Sequence, residues 1–328
     1  MARTPTILAI TLLAFATPAS AQQSAASWPS RPITLVAPFA AGGGNDVLGR
    51  IVAQPLGEIL KQPVIIENVP GAGGMTGSSR VAKAAPDGYT AGLGSVGSHA
   101  FSQTLYKRPL YNAATDFAPV AVIADQPLLV VVRKDLPVSN LKEFIAYAKA
   151  NQGKMQHGSA GVGSATHLGC LVFNAAIGVD ITHIPYRGGA PAMTDLIAGR
   201  IDYWCPFSTT AMPQIKGDTV KPIALLALQR LAVLPDLPTA HEQGLANFEA
   251  STWNALFLPK GTPPAIVQKF YNAVVQAVGT PAVQQRLNEL GMSPAAADRR
   301  SPEFLATFIP AEIEKWAAPI KASGISVD

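Results

Sequence analysis

Twice in this chain a β-rich apolar run leads into glycines and then into residues at helical spacing. Ile33–Ala37 passes through Pro38-Phe39-Ala40-Ala41 into Gly42-Gly43-Gly44-Asn45-Asp46, after which Val47, Leu48, Ile51, Val52, Leu56, Ile59 and Leu60 recur with a helix period. The segment Met155–Ile177 repeats the plan through Ser159-Ala160-Gly161-Val162-Gly163-Ser164-Ala165-Thr166-His167. Strand–loop–helix units of this kind build parallel sheets covered by helices. Glycines let a ligand approach the backbone, and the first-turn N–H groups of a helix have no partner within it. The helix dipole adds about half a positive charge there, so a carboxylate or phosphate binds naturally at such a place. Asn45, Ser159, Ser164 and Thr166 add neutral donors. For either loop alone, a plain capped turn is the alternative. Two such loops in one chain point to an anion site between them.

The rest of the chain continues the alternation. Val64–Glu67, Thr90–Leu93, Val120–Ala124, Leu128–Arg133, Val220–Ala227 and Thr252–Leu258 read as strands. Asn140-Leu141-Lys142-Glu143 has the form of a capping box and starts a helix with Leu141, Phe144, Ile145 and Ala148 on one face. Pro55 falls within the first helical pattern and predicts a kink there. Thr262-Pro263, Thr280-Pro281 and Ser301-Pro302 each set a capping hydroxyl before Pro at a helix start, so the C-terminal part is expected to be helical. With 328 residues there is enough chain for two domains of ordinary size. The absence of any low-complexity linker suggests that the chain crosses between them more than once.

Residues 1–21 are expected to be an export signal rather than fold. Arg3 supplies the positive end, Ile7–Ala16 the apolar run, and Ala19-Ser20-Ala21 the small-x-small cleavage site. The alternative, a membrane anchor, needs about 20 apolar residues and finds roughly half. Export permits a Cys170–Cys205 disulfide, with two buried free thiols as the alternative. It also disfavours readings that depend on a nucleotide pool. With 25 Lys+Arg against 21 Asp+Glu and no basic block, the chain lacks a nucleic-acid-binding profile.

Other chemistry finds little support. Gly92-Leu93-Gly94-Ser95-Val96-Gly97 fits a dinucleotide fingerprint, with Asp116 downstream, but little helical periodicity follows Gly97. There is no G-x-S-x-G elbow, no P-loop, no H-E-x-x-H and no C-x-x-C. His99, His157, His167, His183 and His241 could each assist a serine in space, so an exported hydrolase with a Ser–His pair is the enzyme alternative. Arg187, in Tyr186-Arg187-Gly188-Gly189, is a candidate carboxylate clamp, with a surface turn as its alternative. Asp202, Trp204 and Ser208 suit the wall of a small-molecule cleft, Trp204 equally an ordinary core.

An ordered set of short motifs resembles the substrate-binding proteins of tripartite tricarboxylate transporters, the Bug family. Trp28-Pro29-Ser30-Arg31-Pro32-Ile33 with Pro38-Phe39-Ala40-Ala41-Gly42-Gly43 is similar to the family's opening. Glu67-Asn68-Val69-Pro70-Gly71-Ala72-Gly73-Gly74, Ala85-Pro86-Asp87-Gly88-Tyr89-Thr90 and Asp116-Phe117-Ala118-Pro119-Val120 follow in order. So do His183-Ile184-Pro185-Tyr186-Arg187-Gly188-Gly189 and Leu258-Pro259-Lys260-Gly261-Thr262-Pro263. The chain departs from the pattern at Asn45, where Thr or Ser is common, and at Asp202-Tyr203-Trp204-Cys205-Pro206.

The resemblance implies an α/β, two-lobed type II periplasmic binding protein (Venus-flytrap) fold, each lobe a mostly parallel sheet flanked by helices. It implies one lobe from residues 22–122 plus 251–328, the other from 123–250. It implies a periplasmic, non-catalytic protein, monomeric and without cofactor or metal, that holds a small organic acid anion and passes it to membrane permease subunits. Presentation of the ligand to a sensor is the variant of that reading. The expected ligand set is Phe39, Gly42, Gly43, Gly44, Asn45, Ser95, Ser159, Gly163, Ser164, Thr166, His167, Arg187, Asp202 and Ser208. The identity of the acid does not carry over.

Overall fold

The computed structural model describes residues 27–322 and Ser326. The export signal and its cleavage site lie outside the described residues. β1 (Ile33–Ala37) leads into α1 (Gly44–Leu60), and β2 (Val64–Asn68), α2 (Met75–Ala82), β3 (Thr90–Ser95) and the short α3 (Ser102–Leu105) follow. β1 pairs in parallel with β2 on one side and β3 on the other. α1 runs through Pro55 as one helix and buries Leu48, Val52, Leu56 and Leu60, the stripe its period predicts.

β4 (Phe117–Arg133) joins what the sequence breaks into two strands. Asp125-Gln126-Pro127 looks like an interruption, but these residues pair with the chain's return strand, so the backbone stays extended. That return strand arrives late. First come α4 (Leu141–Asn151), β5 (Gln156–Ser159), α5 (Ala165–Ile177), β6 (Thr182–Pro185), α6 (Gly189–Ile197), β7 (Tyr203–Trp204), α7 (Ser208–Lys216) and β8 (Val220–Leu226). Then β9 (Ser251–Pro259) crosses back, followed by α8 (Pro264–Gly279), α9 (Pro281–Glu289), β10 (Ser293–Pro294) and α10 (Pro302–Ala322).

β4 is shared between two sheets. From Phe117 to Pro127 it lies antiparallel to β9, which lies antiparallel to β3 and so joins the β1–β2–β3 sheet. From Leu128 to Arg133 it lies antiparallel to β8, with β7 against Val131 and Val132, and β5 pairs in parallel with both β6 and β7. Parallel pairing therefore occupies the outer strands of each lobe and antiparallel pairing the strands that cross. β4 changes partner at Pro127/Leu128, later along the chain than residues 122/123.

The first lobe's sheet has a core on each face. Leu35, Leu48, Leu56, Phe270 and Val274 fill one, and Met75, Phe101, Phe257 and Leu305 the other. The second lobe gathers Leu129, Val131, Phe144, Phe173 and Tyr203 into its core. Cys170 of α5 and Cys205, just after β7, form a disulfide within this core, with Cα atoms 5.4 Å apart. No helix among the described residues is long and apolar enough to cross a membrane.

Candidate functional site

The lobes meet along a seam of glycines. A Cβ at Gly188 would come within 2.7 Å of Ala40 Cβ, and one at Gly73 would collide with the carbonyl oxygen of Val162. A Cβ at Gly44 would collide with Thr209 Oγ1 and reach Phe207. Bare backbone lets the two loops approach each other this closely.

Between the lobes lies a cavity with an empty volume of about 360 Å³, open space at its mouth included. Its wall is built from the starts of four helices. Gly43, Gly44 and Asn45 open α1, and Ser164, Ala165 and Thr166 open α5. Gly189 opens α6, while Phe207 and Thr210 come from the start of α7. Phe39, Ser95, Ala160 and Trp204 complete it. Among the described residues, no charged side chain lines the cavity. Helix starts carry partial positive charge and unpaired N–H groups, the kind of field that favours an anion.

Three side chains in this wall are buried with no partner among the described residues. Both amide atoms of Asn45, the indole Nε1 of Trp204 and Oγ1 of Thr210 are in that state, with Asn45 4%, Trp204 1% and Thr210 7% exposed. Buried polar groups are ordinarily hydrogen-bonded. All three residues line the one cavity. Two of them, Asn45 and Trp204, lie where the sequence departs from the Bug pattern.

Of the expected ligand residues, Phe39, Gly43, Gly44, Asn45, Ser95, Ser164 and Thr166 line the cavity. The others are occupied elsewhere, for identifiable reasons. The Gly42 N–H donates to Asp46 Oδ2 at 2.8 Å. Burial would raise the Asp46 carboxyl, but hydrogen bonds from Arg50, Gly42 and Asn68 hold it below its ordinary value. The Gly163 N–H donates to His167 Nδ1, and the His167 ring stacks on His183 at 4.1 Å. Asp202 accepts from Arg133 Nε at 3.1 Å and from the Gln156 N–H at 2.8 Å. The Ser208 hydroxyl donates to Gly291 O. Arg187 is exposed and uses its backbone carbonyl to accept from the Ala40 N–H. Its side chain does not line the cavity.

Ser159 and His183 do pair, Oγ to Nε2 at 2.6 Å. Ser159 is fully buried and accepts the Gly161 N–H, so this is a structural link rather than an exposed nucleophile. His157 and His183 stack 5.0 Å apart, behind the α5 loop. Burial holds His157 and His167 down at about 3 and His183 at about 4. Stacked rings cannot converge on one ion, and no metal-holding group of His, Cys, Asp or Glu occurs among the described residues. The dinucleotide-like glycines serve packing. A Cβ at Gly92 would press on Val81, and one at Gly94 on Phe257 and His99.

Sequence reasoning missed Ala160, Ala165, Gly189, Phe207 and Thr210, and left Trp204 open between cleft wall and core. A signal existed at Phe207-Ser208-Thr209-Thr210, a cluster of hydroxyls after a short strand. The two-residue β7 has no periodicity to announce it.

Comparison with known proteins places this architecture. BugD, a periplasmic binding protein, superposes with a TM-score of 0.88 at 37% identity over 91% of this chain and 99% of BugD. MatC of Rhodopseudomonas palustris, solved with bound malate, gives 0.85 at 37% identity, covering 89% of this chain and all of that one. A further R. palustris protein, solved with adipate, gives 0.87 at 35% identity over 91% of this chain and 99% of its own. In sequence, a UPF0065 protein of Agrobacterium vitis is 41% identical over 92% of this chain and 87% of its own length. BugT of Bordetella pertussis is 33% identical over 93% of each. Residues 48–325 match the family described as "Tripartite tricarboxylate transporter family receptor". The fold, the cavity and these relatives agree: the chain belongs to the tripartite tricarboxylate transporter receptor family, a family of periplasmic substrate-binding receptors and not of enzymes.

Proposed function

We propose that this receptor captures a small organic acid anion, a carboxylate, between its lobes and delivers it to the membrane permease subunits of a tripartite tricarboxylate-type transporter. The observation that carries this reading is the cavity itself: four helix N-termini, three orphaned polar side chains and no charged side chain. Such a wall offers mostly donors, which suits a carboxylate and not its amide. The malate and adipate bound in structural relatives support the same chemistry. The lobes we assign are residues 22–122 with 251–328, and residues 123–250. The ligand stabilises the closed arrangement, because only there do both glycine loops reach it. The protein acts as a monomer, exported by a signal cleaved after Ala21, and intact mass should lack residues 1–21.

A thermal-shift screen of organic acids tests the binding reading. Saturation at one hundred times the dissociation constant should stabilise the fold by about 2.7 kcal/mol. The matching amides should give no shift, the acid should be recovered unchanged, and small-angle scattering should register compaction. Equal shifts from acids and amides would move the anion elsewhere. Deleting the gene should abolish uptake of the bound acid in cells; undiminished uptake would favour presentation to a sensor.

A further inference from the structure

The donors in the cavity are answered by a carboxylate; Asn45 is not. Its side chain sits in the first turn of α1, 4% exposed, with neither amide atom paired among the described residues. Whichever way the amide is turned, an acceptor oxygen and an NH₂ share that buried position. A carboxylate oxygen can take the NH₂ but repels the amide oxygen. The amide oxygen therefore needs a donor. A buried acceptor without one carries the full cost of its lost water.

The wall narrows what that donor is. An ammonium would enter a cavity without a carboxylate in its lining, under the positive ends of four helices. Asp46, the neighbouring acid, is already spent on Arg50, Asn68 and the Gly42 N–H. A neutral donor meets no such penalty. Thr210 Oγ1, also orphaned, can accept or donate and so fits either end of an O–H group.

We infer that the ligand is a small carboxylate that also carries a neutral O–H or N–H donor, such as a hydroxy acid, and that Asn45 selects for this donor. The inference rests on the carboxylate reading above and adds a discrimination to it. Sites built to hydrogen-bond a ligand O–H reject the analogue lacking it far more strongly than apolar pockets reject a missing methylene.

Calorimetry with matched pairs tests it: malate against succinate, lactate against propionate, mandelate against phenylacetate. In the pair that fits the cavity, the hydroxy member should bind at least tenfold tighter. Asn45→Leu, branched alike at Cγ and without an acceptor, should bring that ratio below threefold. Asn45→Ser, which keeps an acceptor and suits a helix start, should retain part of the preference; it also stands in if the leucine variant does not fold. Equal affinities within every binding pair would overturn the inference and leave the carboxylate reading standing. A hydroxyl preference that survives Asn45→Leu would overturn the role of Asn45. Failure of every acid in the screen to bind would overturn the carboxylate reading and this inference with it.

Discussion

At the start of α5, Ser164 Oγ caps the His167 N–H at 3.2 Å and lies 3.1 Å from Thr166 Oγ1, which accepts the Ala160 N–H. At the start of α1, Gly43 caps with no side chain at all, and Asn45 finds no partner. The starts of α6 and α7 likewise have no side-chain cap. Two loops that look alike in sequence are thus in opposite states. The α5 loop closes its own hydrogen bonds and serves as a rigid wall. The α1 loop leaves the Asn45 amide without a partner among the described residues. Lesions in the first should therefore appear in stability, and lesions in the second in affinity.

The largest expected effect is on the open loop. Asn45→Asp keeps the shape but sets a charge beside the ligand carboxylate in a cavity without a countercharge. Affinity should fall about a thousandfold, roughly 4 kcal/mol, for the acid that best stabilises the wild type. The first turn of α1 offsets part of the cost of burying this charge, so the unliganded protein should lose less stability than the complex loses in affinity. Retained binding, or a stability loss larger than the affinity loss, would break the contrast.

Next comes the anchor of the closed loop. Replacing Cys170 and Cys205 with serine should cost about 3–4 kcal/mol of stability by freeing the unfolded chain, and calorimetric melting measures it. Affinity measured well below the melting point should fall by less than tenfold. A larger binding loss would show that the second lobe's wall is soft.

Acid should act on the same lobe. Unfolded imidazoles take protons near pH 6.5, while folded His157 and His167 resist until about pH 3. The unfolded state binds more protons, so stability falls as pH drops below about 6.5 and keeps falling to near pH 3. Between pH 6.5 and 5 each imidazole that stays neutral should cost about 2 kcal/mol. Chemical denaturation at the two pH values checks this, and His157→Gln with His167→Gln should flatten the profile. His183, held to about 4 by burial, and His99, held to about 3 in the first lobe's core, should leave a residual slope.

The smallest effect tests the contrast most finely. Ser164→Ala removes the α5 cap and should cost about 1 kcal/mol of stability, with affinity changed less than threefold. An affinity loss larger than the stability loss would mean that Ser164 contacts the ligand directly.

Much of this was legible in the sequence. The strand–glycine–helix order located both loops, and Asn45 stood out as an exception to a pattern. The lobe bounds come from the family resemblance; the residues by themselves suggest only that the chain crosses between two domains more than once. Hydrogen-bond state was not. Nothing in the letters tells that Gly42 is spent on Asp46 or Ser208 on Gly291, since both partners are set by packing. Arg187 shows a related limit. An arginine beside glycines looks like a clamp, yet its side chain stays outside a cavity walled by the starts of four chain-distant helices, and no spacing rule reports their convergence. Strand β4 reads as two apolar runs because Asp125-Gln126-Pro127 lies between them, although Pro127 stands where the strand changes partner.

The glycine seam has a consequence for release. Surfaces that meet through bare backbone bury little apolar area, so closure by itself gains little of the roughly 25 cal/mol that each buried Å² supplies. On the proposed capture between lobes, the closed form would then be held mainly by what sits inside it. A receptor of this kind tunes its grip through the fraction of molecules already closed, since apparent affinity is weakened in proportion to that fraction. Small side chains added at Gly188 or Gly73, where Ala40 and Val162 stand opposite, would act on that balance without touching the ligand. The same thrift in side chains that weakens capture lets a cargo leave once its contacts are broken.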